Sequence, residues 1–311
     1  MSLPADFQHA QIFLARLEQV YSASGAQEIV QALAEDCWHA FWINPLIDTC
    51  PADFAPPGQP VPDMPGMWQV GVAEQLTHTT AASAGWIYIQ NVSSYFAARQ
   101  LGVQPGQEVL DLAAAPGGKT IVLAAAMQNR GRLAAVEPVK ARFHRLRANL
   151  QRCGVTNVAL YQRDGRGVGR AVPQRFDRVL LDAPCSSESH MRWDTPASYQ
   201  HWSLRKVKEC QRKQKGLLRS AYAALKPGGE MIYCTCSFSP EENELVVDYL
   251  LKRSDAQIIP LQPPGPEPVY AVPGLQSWGG KTLSPTLGHT LRILPHGAWD
   301  GFYVARLRRP A

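Results

Sequence analysis

The chain has 311 residues, 45% of them hydrophobic, and 31 Lys+Arg stand against 26 Asp+Glu for a formal charge of +5. That is enough apolar material for one large domain or two, and mildly basic, which suits nucleic acid without requiring it. No run approaches the ~20 apolar residues of a membrane span, and seven cysteines without paired spacing point to a reducing cytoplasm rather than a disulfide framework.

The opening MSLPADFQHA lacks the basic head and long apolar stretch of a secretory signal. Apolar residues at helical spacing in FQHAQIFLARLEQVY and GAQEIVQALAEDC predict two helices, and AFWINPL a short strand. Six prolines in PADFAPPGQPVPDMP, residues 51–65, predict a long irregular connection. From Gln107 strands alternate with helices: QEVLDL, then GKTIVLAAAMQ; GRLAAVEP, then VKARFHRLRANLQRCG; NVALYQRD; FDRVLLDAP. A long helix is expected from about Tyr199 to Leu225, stopping at KPGG, then the strand EMIYCTC and a helix from SPEENELVVDYLLK. TLRILPH and GFYVARLRR can add late strands. The alternation predicts an α/β fold with a parallel, doubly wound sheet, whose ligands bind at the carboxyl ends of its strands. We divide the chain into residues 1–100, a small N-terminal part, and 101–311, the sheet domain.

The charge is uneven. Arg142, Arg145, Arg147, Arg152, Arg163, Arg166, Arg170, Arg175 and Arg178 form one cluster; Arg205, Lys206, Lys208, Arg212, Lys213 and Lys215 form another. Either is a solvated face or a surface for a polyanion.

DLAAAPGGKT follows the first strand of the alternating part and opens a helix, whose free N–H groups and close-approaching glycines favour a ligand there. A P-loop needs glycine where this chain has Ala113, and no G-x-G-x-x-G occurs, although VLLD ending at Asp182 could imitate the magnesium strand of an NTPase. Glu137, 18 residues past Lys119, ends the second strand and suits a ribose diol; Asp164 closes the third, where a carboxylate can receive an adenine amino group. Each acid alone is an ordinary strand-end residue. The ordered set suits a nucleoside lacking a phosphate chain, and S-adenosylmethionine is the candidate cofactor.

The fourth strand ends in Asp182-Ala183-Pro184-Cys185, with a thiol where many amine methyltransferases carry an aromatic ring. A thiol is pointless for methylating an amine. It makes sense for carbon 5 of a pyrimidine, which needs a thiolate added at carbon 6 before it can attack a sulfonium. Cys236 ends the fifth strand, the expected neighbour of the fourth, so both thiols can face one pocket. Cys234 is read as packing, as are Cys37, Cys50, Cys153 and Cys210. Cys234 and Cys236 have no second pair at zinc-site spacing, so no metal is expected.

DLAAAPGGKT, DAPCSS and CTCSFSPEENE at these separations resemble the Sun-type RNA cytosine-5 methyltransferases, which include bacterial ribosomal RNA enzymes of the RsmB/RsmF kind. The resemblance runs from about Phe41, in FWINPL, to DGFYVARL. It implies a Rossmann-like, class I S-adenosylmethionine-dependent catalytic domain with a small RNA-facing N-terminal subdomain. By resemblance Cys236 is the nucleophile, Cys185 assists breakdown of the adduct, Asp182 hydrogen-bonds the cytosine edge and Lys119 sits close by. Ala113, Ala114, Ala115, Pro116, Gly117, Gly118, Lys119, Glu137, Asp164 and Asp182 would line the cofactor site. Two features depart from the family. Ser187 stands where glycine is frequent, and there is no room for the extra helical or RNA-binding domains of some relatives, so residues 1–100 and the basic clusters are expected to contact RNA. Ribosomal RNA is the expected substrate, with tRNA open, for a cytoplasmic monomer without a membrane partner. A P-loop-like NTPase and a non-catalytic RNA-binding module are the alternatives.

Overall fold

The computed structural model describes residues 3–35, 38–71, 75–263 and 270–311; Cys37 lies outside them. The two opening helices form one element, α1 (Ala10–Ala32), interrupted at Ser22, whose φ of 69° and ψ of 171° are non-helical. Its apolar face (Phe13, Leu17, Ile29, Val30, Leu33) packs on Met191, Tyr199, Trp202 and Phe238. The helix therefore sits over the chain that follows Cys185 and Cys236.

A small antiparallel sheet in order β2-β3-β1-β4 comprises β1 (His39–Ile43), β2 (Gln59–Pro60), β3 (Met67–Val70) and, after the short helix α2 (Thr80–Ser83), β4 (Ile87–Ile89). The proline-rich stretch is thus not wholly irregular. It supplies β2 on the sheet edge, where a proline without an N–H is tolerated. α3 (Val92–Arg99) follows, with Asn91 Oδ1 accepting from the Ser93 N–H at 2.8 Å as its cap.

The alternating part gives β5 (Glu108–Asp111), α4 (Gly118–Ala126), β6 (Arg132–Val136), α5 (Lys140–Arg152), β7 (Val158–Tyr161), α6 (Val168–Ala171), β8 (Phe176–Asp182), α7 (Leu204–Ala224), β9 (Leu225–Thr235) and α8 (Glu244–Leu251). The tail adds β10 (Gln257–Ile259), β11 (Ala271–Pro273), a hairpin of β12 (Ser277–Trp278) and β13 (Lys281–Thr282), β14 (Leu291–Ile293) and β15 (Phe302–Arg308). Among the described residues these build a nine-stranded sheet in order β11-β14-β15-β9-β8-β5-β6-β7, with β10 paired to β15. β5 to β9 are mutually parallel, whereas β15, β14, β11 and β10 each join the sheet through antiparallel pairs. The sheet is therefore mixed rather than all parallel. The short link from β14 to β15 cannot make the crossover that a parallel pair demands.

Alternate residues feed two apolar layers. Val109, Leu133, Leu180, Ile232 and Val304 face α3 and α4, with Phe96, Ile121 and Val122. Leu110, Val179, Leu181, Met231 and Tyr233 face α7 and α8, with Leu217, Leu218, Val246 and Val247. Both faces are covered, as near-continuous apolar strands require. The chain winds outward from β5 through β6 to β7, then resumes on the other side with β8 and β9. The switch point lies between β5 and β8, so a ligand crevice opens at their carboxyl ends.

Three boundaries differ from expectation. α7 starts at Leu204 because Ser203 caps it, its hydroxyl accepting from the Lys206 N–H at 3.2 Å. Lys226-Pro227-Gly228-Gly229 lies within β9 instead of outside it, opposite an irregularity in β8 between Phe176 and Arg178. α8 starts at Glu244, since the side chains of Ser239, Glu242 and Asn243 are committed to the cysteine loops. No helix among the described residues is long and apolar enough to cross a membrane.

Candidate active site

Asp182 ends β8 in register with Cys234 of β9, and the ladder continues one step, Ala183 N–H donating to the Cys234 carbonyl at 2.9 Å. Cys185 and Cys236 follow just beyond these two neighbouring strand ends. Their sulfurs lie 3.2 Å apart, in contact as two free cysteines. The pairing of strand ends expected from the sequence brings the thiols together.

Two buried carboxylates lock the loops to each other. Glu188, from the Cys185 loop, accepts from the N–H groups of Phe238 (2.7 Å) and Ser239 (2.9 Å), the hydroxyls of Ser237 (2.9 Å) and Ser239 (2.6 Å), and Trp202 Nε1 (2.7 Å). Glu242, from beyond Cys236, accepts from the Ser186 N–H (2.9 Å), the Ser186 hydroxyl, the Ser237 hydroxyl (3.0 Å) and Gln214 Nε2 (2.8 Å). Each loop thus supplies the acceptor for the other's donors. Burial, and then the charge of Glu188, pushes the Glu242 carboxyl up to about 7. Ser189 N–H also donates to the Cys236 carbonyl at 3.1 Å.

The thiols differ in setting. Cys185 is held well above the usual thiol range, first by its hydrogen bond to Cys236 and then by burial, so it keeps its proton. Cys234, on β9, is fully buried, and its thiol sits 3.7 Å from Asp182 Oδ1; burial pushes it well up, which leaves it inert packing. Cys210 and Cys153 are buried too, and burial raises both, Cys210 to about 12. Cys50 is partly exposed.

Lys119 Nζ donates to Asp182 Oδ2 at 2.7 Å and to Ser94 Oγ at 2.8 Å, and lies 5.2 Å from the Phe302 ring centre. Burial works against its charge, but the Asp182 carboxylate more than offsets this and raises it. A fixed cation therefore stands beside Asp182, within electrostatic reach of Cys234 and Cys236.

The glycine-rich turn forms as expected at the N-terminus of α4. Gly117 has φ of 116°, which side-chain-bearing residues rarely adopt, and a Cβ at Gly118 would lie 2.9 Å from Tyr88 Cε1. Arg142 and Asn149 of α5 donate to the carbonyls of Ala115 and Pro116 at 2.8 Å each, fixing the turn. Glu137, 1% exposed, accepts from the Val139 N–H at 2.8 Å and faces Arg142 at 3.5 Å. Asp164 does not close the third strand as expected: three residues beyond the end of β7 and exposed, it caps the turn Gly165–Gly167 and accepts from the Arg166 guanidinium and N–H, which hold its carboxyl below the ordinary range.

The turn's floor fits a ligand rich in polar groups. Asp111 Oδ1 and both amide atoms of Gln90 are buried without a protein partner. Burial pushes Asp111 up to about 7 despite the hydrogen bond it accepts from Thr120 at 2.7 Å. A separate groove of about 360 Å³ runs along the β5–β7 face, lined by Leu110, Val136 and Tyr161 but by neither thiol.

Sequence reasoning did not find Glu188, Glu242, Gln90, His190 or Asp300. Acids inside two small-residue loops, CSSESH and SPEENE, were the available signal for the first two.

The fold is that of the S-adenosylmethionine-dependent methyltransferases. The family model described as "16S rRNA methyltransferase RsmB/F" matches residues 98–308, and the chain belongs to that family. A ribosomal RNA small subunit methyltransferase F of Erwinia tasmaniensis is 41% identical over 239 residues, which are 76% of this chain and 48% of the relative. The Vibrio vulnificus protein of the same name is 42% identical over 241 residues, with the same coverage. The chain thus spans about half the length of these curated relatives. A methyltransferase homologue from Pyrococcus horikoshii superposes with TM-score 0.82 at 31% identity, covering 97% of this chain and 96% of that one. NSun6 of the same organism, solved with SFG, gives 0.74 at 21% identity over 99% and 98%, and bears on the fold alone.

Proposed function

We propose that this chain methylates carbon 5 of a cytosine in RNA, with small-subunit ribosomal RNA as substrate and Cys236 as nucleophile. The 3.2 Å approach of two free thiols at neighbouring strand ends carries the reading, since methyl transfer to an amine or a ribose needs neither. The names of the curated relatives support the RNA.

S-adenosylmethionine, when bound, supplies an electrophilic methyl group; residues 113–119, Glu137 and Asp164 would hold it, with Asp111 and Gln90 offering their unpartnered polar atoms. Asp182 accepts from the cytosine edge while Lys119 holds its carboxylate in place. Cys236, as thiolate, would form a bond to carbon 6, and the electron pair this places on carbon 5 would take the methyl group, whose bond to the cofactor's sulfonium sulfur breaks with its electron pair left on that sulfur. Carbon 5 then loses its proton, the double bond re-forms, and the Cys236 sulfur leaves carbon 6. Cys185, kept protonated beside Cys236, assists that breakdown.

Residues 1–100 are proposed to face the RNA and 101–311 to carry the chemistry, in a cytoplasmic protein. The exposed Arg145, Arg147, Arg205, Lys208, Arg212 and Lys213, on α5 and α7, are available to phosphates. The target base must leave its stack, which costs a few kcal/mol and least in a loop.

The test uses Cys185→Ala with ribosomal RNA and S-adenosylmethionine on a denaturing gel. A shifted protein band that disappears in Cys185→Ala/Cys236→Ala is expected. An adduct trapped by Cys236→Ala instead would reverse the two roles. Absence of any adduct, with 5-methylcytidine missing from wild-type product, would refute the reaction.

A further inference from the structure

His190 belongs to none of the roles above. It lies five residues past Cys185, in the loop that departs from the family pattern, and its ring is half-exposed at the rim of the site. Nδ1 points at the Cys236 sulfur from 4.0 Å, and Nε2 lies 3.2 Å from Asp300 Oδ2. Asp300 is fixed from both sides of its backbone: its N–H donates to Asn91 Oδ1 at 3.3 Å and its carbonyl accepts from Ser93 Oγ at 2.7 Å. Arg192 stands 3.7 Å from its other carboxylate oxygen. A carboxylate, an imidazole and a thiol therefore line up in that order, drawn from the link before β15, the Cys185 loop and the end of β9.

We propose that His190 is the base that takes the proton of the Cys236 thiol and returns it at the end of the cycle, with Asp300 orienting the ring. The assignment rests on Cys236 being the nucleophile. Asp300 accepts from Nε2–H, which leaves the Nδ1 lone pair facing sulfur. The S–H bond breaks, its proton moves to Nδ1, and the sulfur electron pair forms the bond to carbon 6. On elimination the C–S bond returns its pair to sulfur and Nδ1 gives the proton back, so the thiol and neutral imidazole are regenerated. The carbon-5 proton leaves by a separate route. The groups facing the ring oppose one another: packing around it disfavours its charge and so does Arg192, but the hydrogen bond and charge of Asp300 raise its proton affinity, with a net rise. Lys119, charged and within electrostatic reach of Cys236, favours the Cys236 thiolate in the same sense.

The test reads the thiol without RNA. Initial rates of iodoacetamide labelling at Cys236, followed by peptide mass spectrometry, are measured against pH for wild type, His190→Gln and Asp300→Asn, with Tm for each. His190→Gln should raise the wild-type midpoint by about one pH unit or more and slow labelling at pH 7 about tenfold, with the high-pH plateau unchanged. Asp300→Asn, which keeps the backbone contacts to Asn91 and Ser93, should shift the midpoint in the same direction by less. Superimposable profiles at equal Tm would overturn the proposal, as would a lower plateau at an unmoved midpoint, which means altered access alone. If wild type yields no 5-methylcytidine while the midpoints still shift, the reaction is wrong and the base assignment stands.

Discussion

Glu188→Gln tests whether the cysteine loops are held by their reciprocal carboxylates. The amide keeps one accepting oxygen. Placed at the Oε2 position it preserves the N–H bonds of Phe238 and Ser239. Its NH2 then faces Ser239 Oγ, which can turn and accept, and Trp202 Nε1, which can only donate. Trp202 is 1% exposed, so this orphaned donor costs about 1–3 kcal/mol, and weaker bonds to a neutral acceptor add about 1. Against this stands relief of repulsion, because the Glu188 charge is one cause of the raised Glu242 carboxyl. Below pH 7 Glu242 carries its proton and the relief is small; above pH 7 it grows. The net loss should be about 2–4 kcal/mol at pH 6 and less at pH 8, or a Tm lowered by about 4–16 °C at pH 6, using ~2–4 °C per kcal/mol. Differential scanning fluorimetry at both pH values reads this, and the Cys185→Ala adduct assay in the same background should show reduced trapping. An unchanged Tm, or a deficit that widens toward pH 8, would refute the reasoning.

Other outcomes follow from the same geometry. Glu137→Ala should weaken S-adenosylmethionine binding in calorimetry while leaving RNA binding within about twofold; equal losses in both would argue against a ribose role. Lys119→Met leaves Asp182 without its cation and removes the charge within reach of Cys236, so methyl transfer should fall by at least a hundredfold with Tm changed by only a few degrees. Asp111 and Glu242 both rise to about 7 from carboxylate values of 3.8 and 4.5. Folding then favours their protonated forms, so the stability they contribute is full below about pH 4 and is lost as pH rises through 7. Above that they cost about 4 kcal/mol for Asp111 and about 3 kcal/mol for Glu242, at 1.36 kcal/mol per pH unit, and Tm of the ligand-free chain should fall between pH 5.5 and 8. A flat profile would count against it.

The difference between what could be read in the chain and what could not has a geometric origin. Parallel strands are regular, and winding fixes which are neighbours, so Asp182 and Cys236 could be placed at adjacent strand ends from apolar runs alone. A residue up to three positions beyond such an end, as Cys185 is, inherits that placement. Side chains that meet across irregular backbone inherit nothing. Glu188 and Ser239 are 51 residues apart, and Asp300 reaches His190 from a link between two antiparallel tail strands whose order was not readable. Helix starts fail for a related reason: Ser239, Glu242 and Asn243 look like a cap, but their side chains serve the cysteine loops, so α8 begins only at Glu244. Ser187, standing where the family favours glycine, adopts φ of 58° and ψ of 37°, a left-handed conformation that glycine accepts without strain. The departure from family pattern thus preserves the turn that carries Glu188 and His190 onto the second cysteine loop. In this chain, the irregular loops rather than the sheet determine which side chains reach the thiols.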